Sequence, residues 1–134
     1  MAQDRHDPVV VSENGQGPYP QTVRVGKHSL IADEPVAMGG NDAGPAPFDF
    51  LLTSLGSCTS ITLRMYADRK KWDVTKIKVE VASEKVDSKT VFKREILLEG
   101  NLEEGSRQRL LQIANSCPVH KTLTNPIEVD TKLI

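Results

Sequence analysis

Pro47-Phe-Asp-Phe-Leu-Leu-Thr-Ser-Leu-Gly-Ser-Cys-Thr-Ser-Ile-Thr-Leu-Arg-Met-Tyr-Ala-Asp-Arg69 is the stretch on which the fold turns. Proline suits the first helical position, where its missing N–H is no loss. Asp49 complements the positive start of the helix dipole. Leu51, Leu55, Thr62 and Met65 recur at helical spacing, with Cys58 in the same stripe. The spacing predicts one helix from about Pro47 to Arg69.

On the C-terminal side, Lys76-Ile-Lys-Val-Glu-Val-Ala82 alternates, with Ile77, Val79 and Val81 inward. Val86-Asp-Ser-Lys89 reads as a turn and Val91 to Glu99 as the returning strand. Lys93, Glu95 and Glu99 share one face of that strand. Phe92, Arg94, Ile96 and Leu98 share the other, an odd place for a charge. Ser106 begins a second helix, with Leu110, Ala114 and Cys117 on one side until Pro118 ends it. A short helical turn restarts at Pro118 and runs to about Leu123. Ile127, Val129, Thr131 and Leu133 alternate as a last strand.

On the N-terminal side, Val9-Val-Val11 is extended and Asn14-Gly-Gln-Gly-Pro18 is a turn cluster. Thr22-Val-Arg-Val25 and His28-Ser-Leu-Ile-Ala32 form a hairpin about Gly26-Lys27. Asp33 to Pro47 is too rich in proline and glycine for helix or central strand. A loop of that length is often functional. The order is ββ-α-ββ-α-β. It predicts an α+β fold of antiparallel sheets packed on a long central helix, in a single domain over residues 1–134.

The chain has 134 residues, 38% of them hydrophobic, enough for one real core. A net charge of −1 gives no reason to expect nucleic acid or an anionic membrane as partner. No apolar run is long enough to span a bilayer. The polar start, Met1-Ala-Gln-Asp-Arg-His-Asp7, lacks a signal peptide's apolar stretch. A cytoplasmic protein is therefore expected, where two cysteines are inert core residues or transient redox partners.

Cys58 and Cys117 are the only cysteines. Two thiols so placed invite one chemistry: one attacks an oxidant, and the other closes a disulfide. Cys58 is mid-helix and gains little from the dipole. It needs a nearby cation to react, and is otherwise a small buried core residue. Cys117 would cap the helical turn at Pro118, with backbone N–H groups directed at its sulfur. Otherwise it is a packing residue. His120 could pair with a thiolate, or lie at the surface. Arg94, turned inward by its strand, is the best cation for Cys58; the alternative is a structural ion pair, with Asp49 for example. Arg24 should face solvent. Asp49 stands nine residues before Cys58, on the opposite side of a regular helix, and can serve the site only through an intermediary or from a dimer partner. Cys58, Cys117 and His120 match no common zinc spacing, so no metal and no cofactor is expected.

Gly44-Pro-Ala-Pro-Phe-Asp-Phe-Leu-Leu-Thr-Ser-Leu-Gly-Ser-Cys-Thr-Ser60 with Cys117-Pro-Val-His120 resembles the family of osmotically inducible protein C (OsmC) and organic hydroperoxide resistance protein (Ohr). The resemblance runs from about Val9 to the C-terminus. Asp33-Glu-Pro35, Gly39-Gly40 and Gly44-Pro45 place it nearest the OsmC-like redox-protein branch. It implies intertwined homodimers with long helices between sheets and two active sites at the interface. It implies a thiol peroxidase for organic hydroperoxides, with Cys58 becoming a sulfenic acid and Cys117 resolving it as a disulfide. A dithiol, lipoyl-type in some members, would be the reductant. The family's peroxidases carry an activating arginine before the central helix, yet none lies between Arg24 and Cys58. They also carry a glutamate where this chain has Phe48. Arg94 and Asp49 are the candidate replacements. A non-catalytic small-ligand-binding protein and a general thiol–disulfide redox protein are the alternatives. The wide separation of the cysteines excludes a Cys-x-x-Cys oxidoreductase.

Overall fold

The computed structural model describes residues 7–134. The reading of the chain's start as polar falls mainly on residues 1–6, outside the described residues. The chain divides into two compact units, one ending at Leu51 and the other spanning Leu52–Ile134.

The first unit holds an antiparallel sheet of β1 (Val10–Glu13), β2 (Gln21–Val25) and β3 (His28–Ala32), in that spatial order. Gly26 makes the hairpin turn at φ 58°, a left-handed conformation that favours glycine. Arg24 is exposed, as its alternation predicts. The loop that follows is built around one carboxylate. Asp33 is buried and accepts from the backbone N–H groups of Glu34 at 2.7 Å, Ala43 at 3.0 Å and Asn41 at 3.1 Å. Burial alone would raise its pKa, but these bonds together hold it below the ordinary carboxylate value. A Cβ at Gly40 would collide with the Glu34 carbonyl, and one at Gly44 with that of Ile31. The loop's glycines are thus there for close approach. The segment read as loop also contains a 3-10 turn at Val36–Met38.

The long helix, α1, spans Pro47–Lys70; its start belongs to the first unit and its body to the second. At its head Ala46 N–H donates to Asp49 Oδ2 at 3.0 Å while Asp49 N–H donates to Ala46 O at 2.9 Å. Arg69 and Lys70 complement the dipole in the last turn. Lys71, at φ 60°, ends the helix with N–H bonds from Lys71 to Asp68 O and from Trp72 to Ala67 O, a Schellman cap.

The buried row of α1 is Leu55, Thr59, Leu63 and Ala67, not the predicted Leu51, Leu55, Thr62 and Met65. Leu51 and Met65 are 42% and 49% exposed. The i, i+4 row, rather than every apolar residue, is the one that is buried. Leu63, Ala67, Val74, Leu110 and Ala114 form the core of the second unit, flanked by Trp72, Ile77, Ile96 and Leu98. Gly56 lets α1 approach the hairpin, where a Cβ would stand 3.4 Å from Val81.

That hairpin is β4 (Asp73–Val86) with β5 (Lys89–Asn101), antiparallel, turning through Asp87 at φ 50° and Ser88 at φ 68°. Two successive positive φ angles match the twist of paired strands. Arginines tie the layers through carbonyls: Arg64 Nη1 donates to Val74 O at 2.8 Å, and Arg107 Nη1 to Leu98 O at 2.9 Å. The second helix, α2, runs Glu104–Ala114, starting before Ser106 and ending three residues before Cys117. Pro118 disfavours helical backbone at the residue before it. Cys117 accordingly sits at ψ 139°, as the cap of α3 (Pro118–Leu123).

No strand forms over residues 126–134, where one was expected. Alternation makes a segment competent to pair, but a strand exists only with a partner edge. Here Leu133 is 101% exposed. The architecture is α+β with antiparallel sheets.

Candidate active site

Three elements of the second unit meet at the thiols. Helix α1 brings Cys58, Thr59 and Thr62. Strand β5 brings Arg94. The junction of α2 and α3 brings Cys117 and the first turn of α3. Both cysteines are free thiols, Cys58 partly buried and Cys117 at 0% exposure.

Cys117 caps α3. Its Sγ accepts from His120 N–H at 3.3 Å, the arrangement that Pro118 predicts. Thr59 Oγ1 lies 3.9 Å from the same sulfur. That hydroxyl donates to Leu55 O at 2.6 Å, inside its own helix, and accepts from Arg94 Nη1 at 3.0 Å. Arg94 also donates to Ala114 O at 3.3 Å and, through Nη2, to Asn115 Oδ1 at 2.8 Å. Its inward direction is legible from strand alternation. Its partners are not: all three are neutral oxygens, grouped behind Cys117.

Cys58 has a different setting. Burial raises its pKa, the Val119 N–H lowers it, the neighbouring Cys117 sulfur raises it, and the Thr62 hydroxyl lowers it. The net effect is a thiol pushed above its ordinary value of 9.0. The two cysteines are therefore side-chain neighbours, brought together across most of the second unit. Among the described residues no cation is one of the groups that shape the Cys58 titration. Thr62 Oγ1, one turn beyond Cys58, is buried and has no hydrogen-bond partner at rest. Helical spacing alone assigns Thr62 to packing and passes over Thr59. A hydroxyl one residue after, or one turn after, a helical cysteine is the signal that could have found both.

A cavity of about 710 Å³ opens beside Arg94 and His120, lined also by Leu55, Phe92 and Leu123, with Lys89 on its hairpin side. Neither cysteine is among its lining residues, and its walls mix apolar and cationic groups. Burial and the Arg94 charge lower the pKa of His120 from 6.5, so the imidazole is neutral at pH 7. Asp49 belongs to the first unit, where its carboxylate closes the α1 head. Among the described residues no group of three or more His, Cys, Asp or Glu side chains could hold a metal ion, and no helix is long and apolar enough to cross a membrane.

Comparison with known proteins places this arrangement. No curated protein matches the chain. Among solved structures, an OsmC-like protein from Mycoplasma pneumoniae superposes with a TM-score of 0.76 at 17% identity, covering 90% of this chain and 89% of that one. A protein from Psychrobacter arcticus, provisionally described as an osmotic stress induced and detoxification response protein, gives 0.74 at 21% identity, covering 91% of each chain. An organic hydroperoxide resistance protein from Elizabethkingia anophelis, with thiocyanate bound, gives 0.64 at 16% identity and 94% coverage of both. At these identities the likeness is one of fold. The sequence profile of OsmC-like proteins, however, matches residues 39–132, from the loop before α1 almost to the C-terminus. With the profile covering more than half of its length and the fold shared throughout, the chain belongs to the OsmC/Ohr family of OsmC-like proteins.

Proposed function

We propose that the protein is a cysteine-based thiol peroxidase for organic hydroperoxides, with Cys58 as the attacking residue and Cys117 as the resolving one. The observation that carries this reading is the pairing of two free, neighbouring thiols of unequal exposure. The Cys58 thiolate attacks the terminal oxygen of ROOH. The O–O bond breaks, the alkoxide takes a proton and leaves as ROH, and the sulfur is oxidised to a sulfenic acid. Cys117, as thiolate, attacks that sulfur. Hydroxide leaves as water, and a Cys58–Cys117 disulfide remains. A dithiol, of lipoyl type by family analogy, restores both thiols and is itself oxidised to a disulfide.

The cavity supports the substrate class. Apolar walls at Leu55, Phe92 and Leu123 beside Arg94 and Lys89 suit a hydroperoxide with an apolar body and an acidic end. The working unit is a homodimer on this reading. Ile61 and Met65 on α1 are exposed, and the alternating tail 127–133 has no strand partner among the described residues. Both compact units count as one functional domain, because the family profile crosses their boundary. Asp49 enters the chemistry only from such a partner; within its own unit it serves the α1 head.

Stopped-flow mixing of reduced protein with cumene hydroperoxide tests the reading, with thiol counting and mass spectrometry as readouts. Rapid loss of two thiols and a Cys58–Cys117 bond are expected. A rate no faster than that of free thiol overturns it. One observation favours a second reading, a non-catalytic ligand carrier: the raised Cys58 pKa, with no cation among its causes in the described residues. A small molecule released on denaturation, with no peroxide turnover, would support that reading.

A further inference from the structure

The groups around Arg94 and Thr59 have a direction. Arg94 is partly buried, yet no carboxylate lies within ion-pair range of it among the described residues. Its bonds go to Thr59 Oγ1, Ala114 O and Asn115 Oδ1, all neutral. An uncancelled guanidinium in a partly desolvated place is stabilised by an anion near it. The nearest nucleophilic sulfur along its bonds is that of Cys117, through the Thr59 oxygen.

Thr59 is a rotor with one proton. At rest that proton goes to Leu55 O while the oxygen accepts from Arg94. If Cys117 loses its proton, the hydroxyl can turn to the sulfur while Arg94 still donates to its oxygen. The hydroxyl is then polarised by a cation and donates to an anion, and each bond strengthens the other. His120 N–H already points at the same sulfur. Arg94 also clamps the end of α2, two and three residues before Cys117, so one side chain both places the nucleophile and supplies its charge.

We propose that Arg94, acting through the Thr59 hydroxyl, is the positioning residue for the resolving thiolate of Cys117 rather than the activator of Cys58. This rests on the reading of Cys117 as the resolving cysteine. In the resolving step a Cys117 S–H bond breaks, its sulfur forms the S–S bond to oxidised Cys58, and the leaving group departs with the electron pair. The other titratable groups at the site are Cys58 from α1 and His120 from α3.

A peroxide-free version of that step tests it. The aromatic disulfide dithiobis-nitrobenzoate is mixed with the reduced full-length protein. Cys58, the reachable thiol, forms the mixed disulfide and releases one aromatic thiolate. Cys117 then displaces the second, and the rate of that release is followed against pH. Thr59→Val should slow the second release by about tenfold to a hundredfold at neutral pH, on the order expected for one lost hydrogen bond to a charged group. Its pH–rate profile should move to higher pH, so that the deficit shrinks as pH rises. Thr59→Ser should restore the wild-type profile, and Arg94→Lys should fall between. A second release unchanged in Thr59→Val, or slowed equally at every pH, overturns the proposal. Failure of the peroxidase reading would look different: cumene hydroperoxide would spare the thiols while the aromatic release still followed Thr59.

Discussion

Cys58 and Cys117 are neighbours in space but are treated differently by the fold. Cys58 is partly exposed, raised in pKa, and touched by Val119 N–H, the Cys117 sulfur and Thr62. Cys117 is fully buried and receives His120 N–H, with the Thr59 hydroxyl beside it and Arg94 behind that. One thiol has access and little polar support. The other has polar support and no access. Reach and activation need not, then, be given to the same sulfur. A two-thiol site can take its oxidant on the exposed member and concentrate its fixed donors on the hidden one. Such a division of roles would need no arginine between Arg24 and Cys58, where this chain has none.

The most severe challenge to this division of roles is Cys58→Ser. Peroxide consumption should fall to that of buffer, because Cys117 is out of reach; a stopped-flow trace that still decays would show that the buried thiol reacts directly. Cys117→Ser should come next in size. One peroxide is consumed per chain, turnover stops, and a sulfenic acid on Cys58 accumulates and can be trapped by a dimedone-type probe. If a disulfide-linked or inert Cys58 appears instead, the division of roles is lost.

Titration separates the two thiols further. Alkylation of Cys58 by iodoacetamide in Cys117→Ser should climb through the alkaline range. In the wild type its midpoint should lie above 9.0, since burial and the Cys117 sulfur outweigh the Val119 and Thr62 contacts. The sign for stability follows. A group whose folded pKa is raised contributes stability that is fully present below the unfolded value and lost as pH rises through the folded one. Urea melts of wild type against Cys58→Ser should therefore converge on the alkaline side, and parallel curves there would count against the assignment.

The smallest expected effect is at Thr62. Its hydroxyl is buried without a partner, so Thr62→Val should leave stability unchanged or raise it by up to about 1 kcal/mol, measured by chemical denaturation. It should also slow Cys58 alkylation severalfold, because the thiolate loses a donor one turn away. A faster alkylation would mean that the hydroxyl opposes the thiolate.

Much of this arrangement is legible in the sequence, for reasons that are local. Pro47 and Asp49 mark the start of α1, and its end falls one residue from the expected Arg69. The turn at Asp87-Ser88 and the alternation on both sides yield the β4–β5 hairpin. Pro118 after Cys117 yields the cap. Misreadings arise where a partner decides. Met65 and Leu51 are apolar yet exposed, because the buried face of α1 is the Leu55, Thr59, Leu63 and Ala67 row. The tail 126–134 alternates yet forms no strand, because no edge among the described residues receives it.

Local sequence specifies the elements, the inward turn of Arg94 and the capping place of Cys117. Each follows from backbone chemistry within a few residues: ring closure at proline, the two-residue period of a strand, and the dipole at a helix end. Tertiary packing alone brings Cys58 to Cys117, sets Thr59 between Arg94 and the buried sulfur, and buries the Thr62 hydroxyl near Cys58. Those facts depend on which sides of α1, β5 and the α2–α3 junction converge. Packing of Leu63, Ala67, Leu110 and Ala114 sets that convergence, and no single segment encodes it.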